Sequence, residues 1–216
     1  MNISLAAEPI FYIGSFPITN TILMSLITSF IILIVLLLVS KKLKNVPSKF
    51  QGLIEVIFEG AISMINQIIH SKEKSKMFFP LVFTIFIFIL LSNWLGIIPG
   101  VGSIGINEVH NGKEVFIPLF RTANSDINIT LAFAIISVII THIFGVITIG
   151  FLKHASKYIS FKKGFIFFFV GILELVGEIA KFLSFSFRLF GNIFAGEVLL
   201  IVIAFIIPYI APIPFL

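Results

Sequence analysis

Glu174, Glu178, Lys181, Arg188 and Glu197 follow one another through a stretch, 164–207, that is otherwise almost wholly apolar and contains no proline. Charge held at mid-bilayer costs roughly 2.5–3.5 kcal/mol per residue on insertion scales, so such groups face protein or water and mark ion pathways. At 100° per residue Glu174, Lys181 and Arg188 fall within a sector of about 40°, with Ser184 and Asn192 a turn to either side of the arginine. Glu197, nine residues beyond Arg188, lies near the opposite side of the wheel and ~13 Å farther along the axis. Lysine can shed its proton when buried, whereas guanidinium stays charged, so Arg188 is a fixed cation. Beside a carboxyl group carried past by a moving partner, that cation favours the ionised form and drives proton release, and it interrupts a continuous proton wire. The chemistry indicated is ion transfer, with Glu174 and Glu197 serving separate uptake and release routes. Two plainer readings stand beside it. Glu178 and Lys181 form an i,i+3 ion pair that lets the helix insert, and Glu174 and Glu197 are interfacial or protonated carboxyl groups.

The elements that must hold these residues are membrane helices. Of the 216 residues 58% are hydrophobic and only 12% charged, and mean hydropathy is +1.15. Soluble domains run at roughly 45–50% apolar and about 25% charged, so the chain is an integral membrane protein. Upright spans are expected at 19–40, 77–100 and 127–152, each near the ~20 apolar residues that cross the hydrocarbon. The second carries Trp94 near one end and stops at Pro99-Gly100; the third is capped by Asp126 or Asn128. Segment 50–70 has Leu53, Ile54, Ile57, Phe58, Ile62 and Ile65 at helical spacing with Glu55 and Glu59 elsewhere on the wheel, which reads as an interfacial amphipathic helix, with a tilted re-entrant helix as the alternative. The polar stretch 101–126 reads as a loop. Region 164–207 would be ~66 Å long as one helix, about twice the hydrocarbon thickness. It is therefore either one strongly tilted helix or two helices broken near Gly177, Gly191 or Gly196. The fold class is an all-α integral membrane protein in one membrane domain, 1–216.

Orientation follows from the basic residues. Lys41, Lys42, Lys44, Lys49, Lys72, Lys74, Lys76, Lys153, Lys157, Lys162 and Lys163 share one side if 50–70 does not cross, against Lys113 and Arg121 on the other. Positive residues mark the cytoplasmic face, so the N-terminus lies outside. The net charge of +5 belongs to this asymmetry and does not signal nucleic acid. Cysteine is absent, which removes disulfides and cysteine-based metal or cluster sites. Neither metal-ligand spacing nor a nucleophile with a base is present, so no catalytic residue, metal or cofactor is expected. Rival functions are a non-conducting scaffold subunit, a secondary transporter, which would show inverted repeats, and a membrane enzyme, which would need a headgroup-level substrate site.

The run "SFSFRLFGNIFAGEVLL" (184–200) resembles the arginine-bearing helix of subunit a of F-type ATP synthases. The likeness extends to "ILELVGEIAKFLS" (172–184), "VPSKFQGLIEVIFE" (46–59), "FPLVFTIFIFILLSNWLGIIPG" (79–100) and "RTANSDINITLAFA" (121–134). The resemblance implies a stationary subunit of the F0 sector set against a rotating ring of c subunits, with b subunits and the F1 sector as further partners. It implies two aqueous half-channels, H+ as the transported ion with Na+ also compatible, and a multi-pass place in the bacterial inner membrane ahead of the mitochondrial one. Carried over, Arg188 is the essential arginine, Asn192 and Glu197 belong to the outer half-channel, and Glu174 to the cytoplasmic one. Nucleotide chemistry falls to partner subunits, since no GxxxxGK[ST] motif occurs.

Two departures accompany the likeness. The acidic residue that some relatives carry shortly after the second-span asparagine is absent, because Asn93 is followed by Trp94, Leu95 and Gly96. The family's final helix is also expected past the outer turn, whereas this sequence stops at "PYIAPIPFL". Among the remaining polar residues, His142 either joins the outer water path or is hydrogen-bonded to a neighbour. Asp126, Asn128 and Thr130 either shape the channel mouth or cap the third span. Asn2 and Asn128 match a glycosylation pattern that is frequent by chance.

Overall fold

The computed structural model describes residues 7–206 apart from 42, 45, 99, 111–112, 157 and 159–164. Asn2, Pro99, Lys42, Lys157, Lys162, Lys163 and the closing stretch 207–216 lie outside the described residues. The chain divides into two compact units, one running from Glu8 to Ala123 and the other from Asn124 onward together with the segment that ends at Ala7. Among the described residues five helices, including 169–203 of the last, are long and apolar enough to cross a membrane, which makes this an all-α membrane protein.

The first unit opens with a hairpin of β1 (Pro9–Ile13) and β2 (Phe16–Thr19), which runs directly into α1 (Asn20–Lys41). At 1.5 Å per residue α1 is ~33 Å long, enough to cross the hydrocarbon alone. Its hydroxyls are satisfied within the helix: Thr28 Oγ1 donates to the Met24 carbonyl (2.8 Å) and Ser29 Oγ to that of Ser25 (2.9 Å). Such back-bonding removes the cost of a bare hydroxyl in an apolar setting. Helix α2 (Lys49–Ile69) starts where Ser48 caps the Gln51 N–H, and ends at His70, whose φ of 55° turns the chain out of the helix. Its apolar face packs on α3 (Lys72–Ile97), with the Phe58 ring 5.5 Å from Phe79 and 4.6 Å from Phe83. Helix α3 begins five residues before the expected span, because Lys72–Lys76 supply a charged first turn with Glu73 favourably placed near the positive end of the helix dipole.

The stretch 101–126 is not a plain loop. After a 3-10 turn at Val101–Ser103, β3 (Gly105–His110) and β4 (Lys113–Pro118) pair antiparallel from Gly105↔Pro118 to His110↔Lys113. Extended, mutually bonded backbone satisfies polar groups that a loop would leave to water. The hairpin is tied back to the start of α1 by Asn20 Nδ2, which donates to the Pro118 carbonyl (3.3 Å).

The second unit holds α4 (Ile127–Ile149), the short α5 (Phe151–Ala155) and α6 (Phe165–Ile206). Asp126 caps α4 by accepting the Asn128 N–H (2.9 Å). Gly150, at φ 83°, ends α4 three residues short of the expected boundary and starts α5. Helix α6 is a single run of 42 residues, so the broken-helix alternative does not hold. A Cβ built on Gly177, Gly191 or Gly196 would meet nothing within 4 Å. No close neighbour forces a kink there, and an uninterrupted i→i−4 ladder is the result.

Candidate functional site

Helix α6 packs on α4 along one face, and its ionisable residues distribute around that contact. Ser186 is fully buried and shares a 3.2 Å hydrogen bond with Thr130, itself buried, on α4. Arg188 is two residues on, about 200° around the wheel, so fixing Ser186 against α4 turns the arginine away from it. The arginine side chain is exposed, and Nη2 donates to Ser184 Oγ one turn back (3.4 Å). Among the described residues no carboxylate lies within ion-pair distance of Arg188. Asn192, one turn onward, is also exposed.

The carboxylates fall into two classes. Glu178 accepts from Lys181 Nζ at 3.1 Å, with the lysine side chain 60% exposed and the glutamate 20%. This is the i,i+3 pair of the plainer reading; it neutralises both charges within one helical turn. Glu174 and Glu197 are half-buried. Along an unbroken helix they stand ~21 Å before and ~13 Å after Arg188. Glu197 shares the wheel sector of Ser186, about 20° from it, and hence the face that meets α4.

Asp126 is the N-cap of α4. His142 is hydrogen-bonded to a neighbour, Nδ1 standing 3.1 Å from Nε2 of His154 on α5, and Tyr158 closes the cluster with its ring centroid 6.0 Å from that of His142. Asn93 is half-buried on α3, in the other compact unit. Among the described residues no three His, Asp or Glu side chains gather as a metal-holding group.

The family model described as the ATP synthase A chain matches residues 22–216. The chain belongs to the ATP synthase A chain family. Among relatives, the ATP synthase subunit a of Geotalea daltonii is 35% identical over 187 residues, which cover 85% of this chain and 70% of that protein. That of Geobacter sulfurreducens is 35% identical over 186 residues, with the same coverage. That of Campylobacter jejuni is 31% identical over 188 residues, covering 87% of this chain and 74% of the relative. In this member of the ATP synthase A chain family, sequence reasoning missed Ser186, His154 and Tyr158. The serine had a usable signal: in "SFSFR" the two serines are two residues apart, so one shares the arginine's face and the other must meet whatever packs behind. His154 sits only one residue past Lys153, in a region read as a basic loop, and nothing local marks it as a partner of His142.

Proposed function

We propose that this chain is the stationary subunit of the F0 sector of an F-type ATP synthase, forming the proton half-channels against a rotating ring of c subunits. The observation that carries the reading is Arg188: an exposed, permanently charged side chain on the face of α6 turned away from α4, with no acid among the described residues to neutralise it. A carboxyl group on a passing ring subunit supplies the missing partner. It ionises beside the guanidinium, delivers its proton to one route, and is reprotonated from the other after rotation. Glu174 serves the cytoplasmic route, Asn192 and Glu197 the outer one. The arginine blocks direct leakage between them, because a proton wire cannot run past a fixed positive charge. Each elementary charge moved through 100 mV is worth ~2.3 kcal/mol, so several protons must be summed by rotation before one ATP is made. A fixed subunit with offset access routes permits that summation.

The F0 and F1 sectors are its assembly context; the ring and the b subunits are the direct neighbours assigned here. Residues 1–216 act as one membrane domain of the bacterial inner membrane, with the N-terminus outside, α2 along the cytoplasmic interface and α6 strongly tilted. Support for the topology comes from the lysine asymmetry, and for the tilt from α6 being ~63 Å long. Arg188→Lys tests the function. In inverted vesicles carrying the assembled complex it abolishes ATP-driven proton pumping while the chain remains in the complex. A scaffold subunit would keep normal pumping, and that result would overturn the proposal.

A further inference from the structure

Outside α6, a concentrated apolar surface with no assigned use is the β1–β2 hairpin. Tyr12 and Ile13 are each 65% exposed, Phe16 60% and Phe11 45%. The register pairs Phe11 with Ile18, Tyr12 with Pro17 and Ile13 with Phe16, around a turn at Gly14, whose φ is 65°. Alternate strand residues point to opposite faces, so Phe11 and Ile13 are presented on one side and Tyr12 on the other. A flat protein partner would cover one side only; apolar exposure on both fits a surrounding medium.

Three observations say which medium. From Pro9 to Ser40 there is no Asp, Glu, Lys, Arg or His, so the hairpin continues the uncharged, lipid-facing surface of α1, where Leu26, Phe30 and Leu33 are exposed. Helix α1 is already ~33 Å long, so the ~30 Å of hydrocarbon is used up before the hairpin begins, leaving it at headgroup depth. The hairpin cannot go deeper, since a two-stranded sheet has unpaired outer edges that hydrocarbon does not tolerate. At the headgroup level those edges find water while aromatic side chains find acyl chains, which is where tyrosine is enriched. The hairpin is also fixed to the helix. Asn20 N–H donates to the Glu8 carbonyl (3.1 Å), and Ile22 N–H to Thr19 Oγ1 (3.3 Å) across the junction.

We propose that the 9–19 hairpin is an interfacial membrane anchor, dipping its tip into the lipid headgroup zone of the leaflet around the N-terminal end of α1 and so setting that helix's depth. The sequence has no cysteine, which allows single spin labels. Ile13→Cys and Phe16→Cys, each labelled in the full chain reconstituted into phosphatidylcholine and phosphatidylglycerol vesicles, are compared with Leu33→Cys at the middle of α1. Both tip labels should collide with a water-soluble nickel chelate roughly fivefold less often than a label in bulk water, and with oxygen less often than Leu33→Cys, as for a depth of about 5–10 Å. Nickel collisions at the bulk-water rate would overturn the proposal, and so would exclusion of both quenchers, which would mean a protein cover. If labelled variants fail to insert, the unmodified chain is photolysed in vesicles containing a carbene-generating phosphatidylcholine. Adducts on residues 11–16 support the anchor; adducts confined to the helices overturn it.

Discussion

Ser186 of α6 and Thr130 of α4 hold their hydroxyl oxygens 3.2 Å apart with both side chains withdrawn from the surface. Thr130 Oγ1 also stands 3.0 Å from the Ile127 carbonyl, a second acceptor for its single proton, so either hydroxyl can donate between the helices. Ser186→Ala removes the interhelical bond while leaving Thr130 the Ile127 carbonyl as an acceptor. Interhelical hydrogen bonds in membranes average ~0.6 kcal/mol and reach ~1.7, and the loss should fall in that range. Unfolding of the full chain in mixed micelles, run as a double-mutant cycle with Thr130→Val, should return a coupling of similar size. A coupling of zero would mean the two hydroxyls do not hold each other.

The same contact aims Arg188, whereas Ser184 only steadies it. The Arg188 to Ser184 bond is 3.4 Å long and lies on an exposed face. A hydrogen bond is worth ~0.5–1.5 kcal/mol net, so Ser184→Ala should lower coupled proton pumping by at most about tenfold. A complete loss would assign Ser184 a direct part in ion transfer.

The apolar spans were legible because hydropathy and charge asymmetry act over about twenty residues at a time. Helix α1 runs 20–41 against an expected 19–40, and α4 starts at the expected 127. The hairpins were missed because their strands are only four to six residues long and sit between much stronger helical signals. A signal was nonetheless present in Asn111-Gly112, the dipeptide that most favours a two-residue hairpin turn. Of the candidate site, the stripe of Arg188, Ser184 and Asn192 follows from 3.6-residue periodicity alone. The partners of Ser186 and His142 do not, since periodicity gives a residue's face and never the identity of what packs there.

Glu178 and Lys181 form a pair whose value lies in insertion more than in folded-state stability, because exposed i,i+3 pairs contribute only ~0.2–0.5 kcal/mol. Lys181→Glu places two carboxylates a turn apart in an apolar stretch where each unpaired charge costs ~2.5–3.5 kcal/mol to insert. The amount of chain in the membrane should fall several-fold. Combining it with Glu178→Lys restores the pair in reverse order and should recover most of the loss, measured by quantitative immunoblot of the membrane fraction. Failure of the swapped pair to recover would mean that one of the two has a role beyond neutralising the other.

The His154 ring lies directly on Gly145, where an added Cβ would come within 2.6 Å of Cε1 and 2.8 Å of Nδ1. The absence of a Cβ at Gly145 leaves room for the His154 ring against α4, and the His142 to His154 hydrogen bond is made with the ring in that position. Gly145→Ala should push the ring aside and break the bond, costing about 1–3 kcal/mol as overpacking does. Alanine is itself the better helix former by roughly 0.8–1 kcal/mol, so removing the obstructing ring should reverse the sign. In the His154→Ala background, Gly145→Ala is expected to be neutral or stabilising, with trypsin cleavage after Lys153 no faster than in the single His154→Ala chain. Equal losses in both backgrounds would place the clash elsewhere and detach the glycine from the histidine pair.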